Sequence, residues 1–575
     1  MPLPVNWNTS TALPGASGIA FSDYSTASLD NGGYVFAGLQ NGKAVVGVFD
    51  AAGFSAGPFT VLEQSGIGVT VTGASVARLN DGFAVAVSKA VDTGAGIQAN
   101  IEIKTFDVAG VPTFQNIVIP ALPAFTDRVD LLELENNRLF VTWRGPDALD
   151  SGVFGVVADM QSQQLSDVFQ INVSDFGYQE NLAVTELPNG NLVVVYTTGI
   201  VTSNFDIRAR VIRQDGSAVT GEFQVHSTNA GNQTIPSVTA LTNNTFAIAW
   251  QDDATGDSKA QIFAPNGLRL GSVLDIGPGD NASRPQVISQ SDGGFLAIYL
   301  TSTELKAQAF SATGVSAGSY VIAPLNPVGN SEAPEITALS DGRLAVVYAD
   351  ALNSRTIILD PRGAATINGT SGDDVLFGNG TAALITAAGK LIIGGAGNDV
   401  IYAGHSDTVR GGSGDDILVS VPAGLLFPTA DFSDATSGVI VDANAGTAYS
   451  ASTGNDLLFG TFTNIIGGSG NDTIVAFELG AANGLTTLDG GAGDDVFRRL
   501  RYTKTIIGGD GVDTMDASTV SDGIPPTPGV TVDLAAGTWI APPGIFPTGR
   551  TVSGVENVIG TSHSDTITGN HLANV

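Results

Sequence analysis

The 575-residue chain has no cysteine, which excludes disulfides and thiolate metal sites. Basic residues are scarce: 24 Lys and Arg stand against 56 Asp and Glu, a formal net charge of −32. That balance excludes nucleic acid and anionic membrane surfaces as main partners, since both call for basic patches. No apolar run approaches the ~18 residues of a membrane-spanning helix, so no membrane span is expected. The opening MPLPVNWNTS shows no Sec-type leader. Catalytic signatures are missing as well. There is no HExxH, no DxDxDG loop and no SxDxGxTW box. GxSxG strings occur at residues 53–57 and 314–318, but both fall in the Gly-containing turns that lead to a fourth strand, not at the strand-to-helix elbow the motif requires. No catalytic residue is therefore singled out, and the expectation is a non-enzymatic protein. His226, His405, His563 and His571 fall in strand or turn segments and read as structural.

What is abundant is glycine, 73 residues, and it falls in two repeat arrays. From residue 20 to about 363 one pattern recurs: apolar-x-x-Leu-x-(Asn/Asp)-Gly, then alternating apolar residues. Its anchors are Leu29, Leu79, Leu134, Leu187, Leu241, Gln290 and Leu339. Each copy holds an apolar run, a turn of the Asn-Gly or Asp-Gly kind, a second run, a third such as KAVVGVFD and a fourth such as FQVHSTNA. Asn-Gly turns between alternating runs are hairpin signals. Four antiparallel strands per ~50 residues make one propeller blade. Seven copies predict a seven-bladed β-propeller over residues 1–363. The seventh copy lacks a fourth strand, and residues 4–10, which resemble the fourth-strand segments, are expected to supply it and close the ring. Trp143, Tyr196, Trp250, Tyr299 and Tyr348 recur at one blade position, which reads as packing between blades. Asp252, Asp253 and Asp257 are the densest acidic cluster of this half and read as a solvated hairpin.

The second array spans residues 364–575. Gly-rich hexapeptides precede apolar triplets: GTSGDD, GGAGND, GGSGDD, ASTGND, GGSGND, GGAGDD, GGDGVD and GTSHSD, with a shortened AGHSD ending at Asp407. This is the GGxGxDxUx nonapeptide, a known mark of calcium-binding parallel β-helices. Ca²⁺ takes six to eight oxygens. Glycine permits tight turns that aim carbonyls at one point, the sixth-position Asp adds a carboxylate, and the apolar residue two places on points into the core. The metal-ligand candidates are Gly369, Ser371 and Asp374; Gly394, Ala396 and Asp399; Asp407; Gly411, Ser413 and Asp416; Asp456; Gly467, Ser469 and Asp472; Gly490, Ala492 and Asp495; Gly508, Asp510 and Asp513; and Asp565. Partner turns one coil apart should share an ion. The spacing pairs Asp495 with Asp513 and Asp399 with Asp416, and makes Asp456 and Asp472 a distorted pair. If Asp374 pairs with Asp399, an insertion must bulge out. Asp565 is not expected to complete a site.

On these repeats, residues 366–575 resemble the RTX (repeats-in-toxin) proteins of Gram-negative bacteria. The resemblance implies an all-β protein that binds several Ca²⁺ ions, passes unfolded through type I secretion machinery and folds outside the cell. The propeller is then expected to bind an extracellular glycan or surface protein, in adhesion or surface assembly. Two alternatives stand beside this: an extracellular polysaccharide-acting enzyme with its site in the propeller channel, and self-assembly into a lattice. Carboxylates converging in the channel would favour the enzyme.

Overall fold

The computed structural model describes the chain apart from residues 1–4, 7, 9, 14–20, 123–125, 149, 174–176, 201–202, 228–229, 326–331, 350–352, 362–364, 380–388, 405, 422–426, 477–485, 521–528, 542–548, 573 and 575. It forms two compact units, Met1–Gly363 and Ala364–Val575. Among the described residues, no helix is long and apolar enough to cross a membrane.

The described part of the first unit holds seven antiparallel sheets, the blades, each built from strands consecutive in sequence apart from the last. One turn device is repeated between first and second strands. The N–H of the anchor residue donates to a carbonyl four residues on: Leu29 to Gly33, Leu187 to Asn191, Leu241 to Thr245, Gln290 to Gly294 and Leu339 to Arg343. The third residue past the anchor is left-handed. Gly32, Gly190, Gly293 and Gly342 have φ of 79–87°, and Asn137 and Asn244 take 57° and 60°. Asparagine tolerates that region better than other side chains, so it can replace glycine there. Aromatic residues directly opposite each other then stack across the second and third strands: Tyr34 on Phe49, Phe83 on Phe106, Phe246 on Phe263 and Phe295 on Phe310, with ring centroids 4.7–5.4 Å apart. Such pairs add about 0.5–1.5 kcal/mol each beyond area burial. Trp143, Tyr196, Trp250, Tyr299 and Tyr348 are all buried, as packing requires.

The seventh blade is completed from the other end of the unit. Val5–Asn6 pairs with Asp360 and Leu359, and Thr11–Ala12 pairs with Thr356 and Arg355, antiparallel. The closing segment therefore extends to Ala12, in two pieces. Residues 4, 7 and 9 of the expected strand lie outside the described residues. Asn8 ties the seam: its Oδ1 accepts from Ile358 N at 2.8 Å, and its Nδ2 donates to Ala52 O of the first blade at 3.0 Å.

The second unit is a parallel coil. Its two sheets have 11 and 10 strands among the described residues. Equivalent residues of successive coils lie in register, for example Ile392 beside Val409 and Ile401 beside Leu418. The large apolar residues of the repeat fill one interior: Leu376, Ile401, Leu418, Ile474, Phe497 and Met515 from one sheet, facing Ile392, Val409, Ile465, Leu488, Ile506 and Val552. Two antiparallel hairpins interrupt the coils, Val439–Asp442 with Thr447–Ser450 and Thr531–Asp533 with Thr538–Ile540. Trp539 of the second is buried with the Arg550 guanidinium 4.2 Å above its ring.

Candidate metal centre and channel site

The repeat aspartates stand in two stacks at one edge of the coil. Each takes the main-chain N–H of the aspartate one coil earlier. Asp374 N donates to Asp399 Oδ1 (2.8 Å), Asp399 N to Asp416 Oδ1 (2.8 Å) and Asp416 N to Asp456 Oδ1 (3.0 Å). The second stack runs Asp472 N to Asp495 Oδ1 (2.7 Å), Asp495 N to Asp513 Oδ1 (2.8 Å) and Asp513 N to Glu556 Oε2 (2.9 Å). One carboxylate oxygen per coil thus serves the fold.

The other oxygen is what a cation would use. Oδ2 of Asp399, Asp416, Asp495 and Asp513 is buried with no hydrogen-bond partner. Buried polar atoms are almost always paired, so these four need an external partner. They are the two pairs expected from the spacing. Each Oδ2 lies over the first glycine of its own turn, and for Asp399, Asp495 and Asp513 the first-glycine carbonyl of the next coil, or its substitute, is beside it. Asp399 and the Gly411 carbonyl flank Gly394; Asp495 and the Gly508 carbonyl flank Gly490; Asp513 and the Gly554 carbonyl flank Gly508. A Cβ on any of these glycines would occupy that cradle. Third-position Ala396 and Ser413, and Ala492 and Asp510, are in register along the same turns. Among the described residues no three acidic or histidine side chains are placed to hold a metal ion by themselves, so the remaining oxygens of a Ca²⁺ shell fall to main-chain carbonyls. The donor set is all oxygen, as a hard cation demands. Burial, opposed by the N–H bonds and reinforced by neighbouring carboxylates, pushes Asp416 and Asp513 up to about 6 and Asp456 and Asp495 up to about 7. Bound Ca²⁺ would supply the charge compensation these groups lack.

Other candidates sit differently. Asp456 does not pair with Asp472. It stacks on Asp416, 40 residues earlier, because the hairpin Val439–Asp442 and Thr447–Ser450 occupies two places in the sheet before the next coil resumes. Asp472 stacks on Asp495, and its Oδ2 already accepts from Gly468 N at 2.6 Å. Asp374 does join Asp399 despite the 25-residue separation; the insertion between them includes residues 380–388, outside the described set. Asp374 and Asp565 are satisfied by their own turns, where Thr370 and Thr561 donate through both N–H and hydroxyl. Asp407 lies on the opposite edge of the coil. It accepts from Asn379 N, Asn379 Nδ2, Lys390 N and Gly404 N at 2.7–2.9 Å, so it is a turn staple. Gly369 and Ser371 belong to the Asp374 turn, and Gly467 and Ser469 to the Asp472 turn. Glu556 lies outside the GGxGxD hexapeptides. The signal was present as Glu-Asn-Val-Ile after Gly554, an acid placed two before a large apolar residue as in the repeat, with glutamate for aspartate.

A second site lies in the propeller channel. The first strands of six blades break register at one place, near the sixth residue before the anchor. Asp23, Arg128, Asn181, Ile235 and Arg284 hold that position at φ 45–53°. Such bulges re-aim side chains. Two residues further on stand Ser25, Ser75, Asp130, Ala183, Ser237, Gln286 and Glu335. Together with Glu332, most of these line a cavity of about 320 Å³. Ser75 joins three blades: its hydroxyl contacts Ser25 Oγ (3.3 Å) and Asp130 Oδ1 (3.1 Å) and accepts from Leu131 N. Asp23 Oδ2 accepts from Ala74 N at 3.2 Å, and only a glycine at 73 leaves it room. Burial pushes Asp23 up to about 7 against the pull of Arg128, and Asp130 up to about 6. Glu335 is raised well above the carboxylate range by burial, then by Asp130, Asp23 and Glu332. No short motif marks this constellation, although the seven copies, aligned on their anchors, carry it in two columns. Asp252, by contrast, is buried and caps its own hairpin through Ala254 N.

The RTX calcium-binding nonapeptide repeat matches in four copies, over residues 362–382, 391–418 and 460–477. No curated protein matches the chain. Among solved structures, a protein of unknown function from Dyadobacter fermentans is 10% identical, with 61% of this chain and 98% of that one covered and a TM-score of 0.39. An ulvan lyase is 7% identical, covering 60% and 95%, TM-score 0.38. A thermostable family-43 glycoside hydrolase is 11% identical, covering 56% and 100%, TM-score 0.32. Likeness at this level carries nothing about activity. Repeat match, coil register and blade count agree: the chain carries RTX calcium-binding nonapeptide repeats in a parallel coil that follows a seven-bladed β-propeller.

Proposed function

We propose that the protein is a calcium-gated extracellular binding protein, exported unfolded by type I secretion machinery, whose propeller engages a glycan at a cell surface or matrix. The observation that carries this reading is the set of four buried, unpartnered carboxylate oxygens in the coil. In a low-calcium cytosol they have no counter-charge, and the coil does not fold. Extracellular modules bind Ca²⁺ at about 10⁻⁴–10⁻³ M, so the sites fill outside the cell and binding becomes folding free energy. Circular dichroism of the full chain, with calcium and with chelator, tests it. A large chelator-dependent loss of β signal is expected, and identical spectra would overturn the gate.

A second reading, an enzyme acting on extracellular polysaccharide, is favoured by one observation: Asp23, Asp130, Glu332 and Glu335 gather at the channel cavity, with raised carboxyls beside guanidiniums. Carboxyl pairs of unlike acidity are the equipment of glycoside cleavage. Chain shortening of a polysaccharide by the calcium-loaded protein, lost in Glu335→Gln, is the outcome this reading requires.

A further inference from the structure

We propose that the channel cavity is a binding site for a neutral saccharide residue, whose hydroxyls are held by Arg128 and Asn181 as donors and by Asp23, Asp130 and Glu335. This rests on the reading of the propeller as a glycan-binding module and gives that module its site and ligand class.

The argument begins with position. Five blades hold a non-glycine residue left-handed at one ring of the channel, among them Ile235 at φ 52°. A β-branched residue there is an outlier, and such conformations persist only where the surrounding structure imposes them. The ring thereby turns chemically different side chains from successive blades toward one cavity. Its lining includes Asp23, Arg128, Asn181, Ile235, Gln286 and Glu335. Arg284 shares the ring position and weighs on Glu332 and Tyr24.

Charge decides the ligand class. A simple cation would meet Arg128 in the lining and the field of Arg284 at Glu332, an anion would meet four carboxyls, and an apolar ligand would leave the polar wall unpaired. A polyhydroxylated neutral ligand satisfies both signs, because each hydroxyl donates and accepts. The carboxyls that burial holds partly protonated near neutral pH add donors of their own. Ile235 and Pro236 give an apolar patch for the C–H face of a sugar ring. A volume of about 320 Å³ lies at the low end of the ~300–1,000 Å³ of small-molecule sites, suited to a sugar unit or two. A larger cavity of the propeller, about 660 Å³, is lined by Glu135 and Glu186 with no guanidinium among its described lining residues, and serves as the control.

The test uses the full chain in calcium and neutral gluco-, galacto-, manno-, xylo- and arabino-tetrasaccharides, with tetragalacturonate and glycine betaine as charged probes, by calorimetry. At least one neutral tetrasaccharide should bind. Arg128→Asn, at an exposed position and with a residue that accepts positive φ, should weaken binding tenfold or more, as should Glu335→Gln. Glu135→Gln should leave it unchanged, and melting curves establish that each variant folds. Binding indifferent to both channel substitutions overturns the site and leaves the glycan-binding reading standing. Binding of tetragalacturonate or betaine in place of neutral sugars overturns the ligand class. No binding of any neutral tetrasaccharide overturns the site and the glycan-binding reading together.

Discussion

The two units meet the same problem, a surplus of acid, in opposite ways. In the propeller, several carboxylates are paired with cations of the same unit. Lys89 lies 3.0 Å from Glu63 and 2.7 Å from Glu102, Arg144 lies 2.6 Å from Asp127, and the buried Arg343 lies 2.7 Å from Asp341. Residues 364–575 have 22 acidic and only 7 basic residues. One of those, Arg550, spends its guanidinium on the carbonyls of Leu500, Arg501 and Thr503, and among the described residues Oδ2 of Asp399, Asp416, Asp495 and Asp513 has no hydrogen-bond partner. A unit that pairs carboxylates with its own cations depends less on ions from outside. One that buries unpaired carboxylate oxygens depends on what its surroundings supply, and that dependence is how a fold senses calcium.

The sharpest way to break this contrast is to remove the metal. In chelator the carboxyl-terminal unit should lose its β structure while the propeller keeps its own, so calorimetry should show two transitions in calcium and one without. A single transition unaffected by chelator would erase the distinction.

Next in size is the seam of the propeller. Deleting residues 1–12 removes the Val5–Asn6 and Thr11–Ala12 pairings and the Asn8 bridge. The propeller transition should fall by several kcal/mol with the calcium-dependent one unmoved. An unchanged propeller melting temperature would show that the ring does not need this closure.

Within the coil, two aspartates separate ligand from staple. Asp495→Asn should raise the calcium midpoint severalfold, since it alters an unpartnered oxygen. Asp407→Asn should destabilise the coil by about 1–3 kcal/mol, the cost of leaving buried donors unpaired, at every calcium concentration. Equal calcium dependence of the two variants would refute the separation.

The smallest effect expected is one of pH on the propeller. Asp23 and Asp130 are raised from 3.8 to about 7 and about 6, so the folded state holds their protons to higher pH than the unfolded chain. Their contribution favours folding at low pH and is lost as pH rises through 6–7. The propeller melting temperature should therefore drop between pH 5 and pH 8, and Asp23→Asn with Asp130→Asn should flatten that slope. A wild-type profile that is flat or rises would contradict the burial of these carboxyls.

Much of this architecture was legible in the residues. Anchor spacing marked the blades because each blade repeats one hairpin, with its turn glycine or asparagine three past the anchor. The 17- and 18-residue spacings picked Asp399 with Asp416 and Asp495 with Asp513 because a regular coil places residues one turn apart side by side. The same arithmetic misread Asp456, since a hairpin inserted into the sheet takes up strand positions without advancing the coil. It passed over Glu556 because the repeat motif carries aspartate at that place. Asp407 fitted the motif but was already saturated by four N–H donors, which only the turn opposite could reveal.

The sequence alone determined the repeats, their periods, the all-β class and the oxygen-rich chemistry of the turns, because these depend on local backbone preference and side-chain alternation. Tertiary structure decided which carboxylates keep an unpaired oxygen and which side chains meet in the channel. Asp23, Asp130 and Glu335 are more than 300 residues apart at their extremes, and only closing seven blades into a ring, with a register break in the first strands, brings them to one cavity.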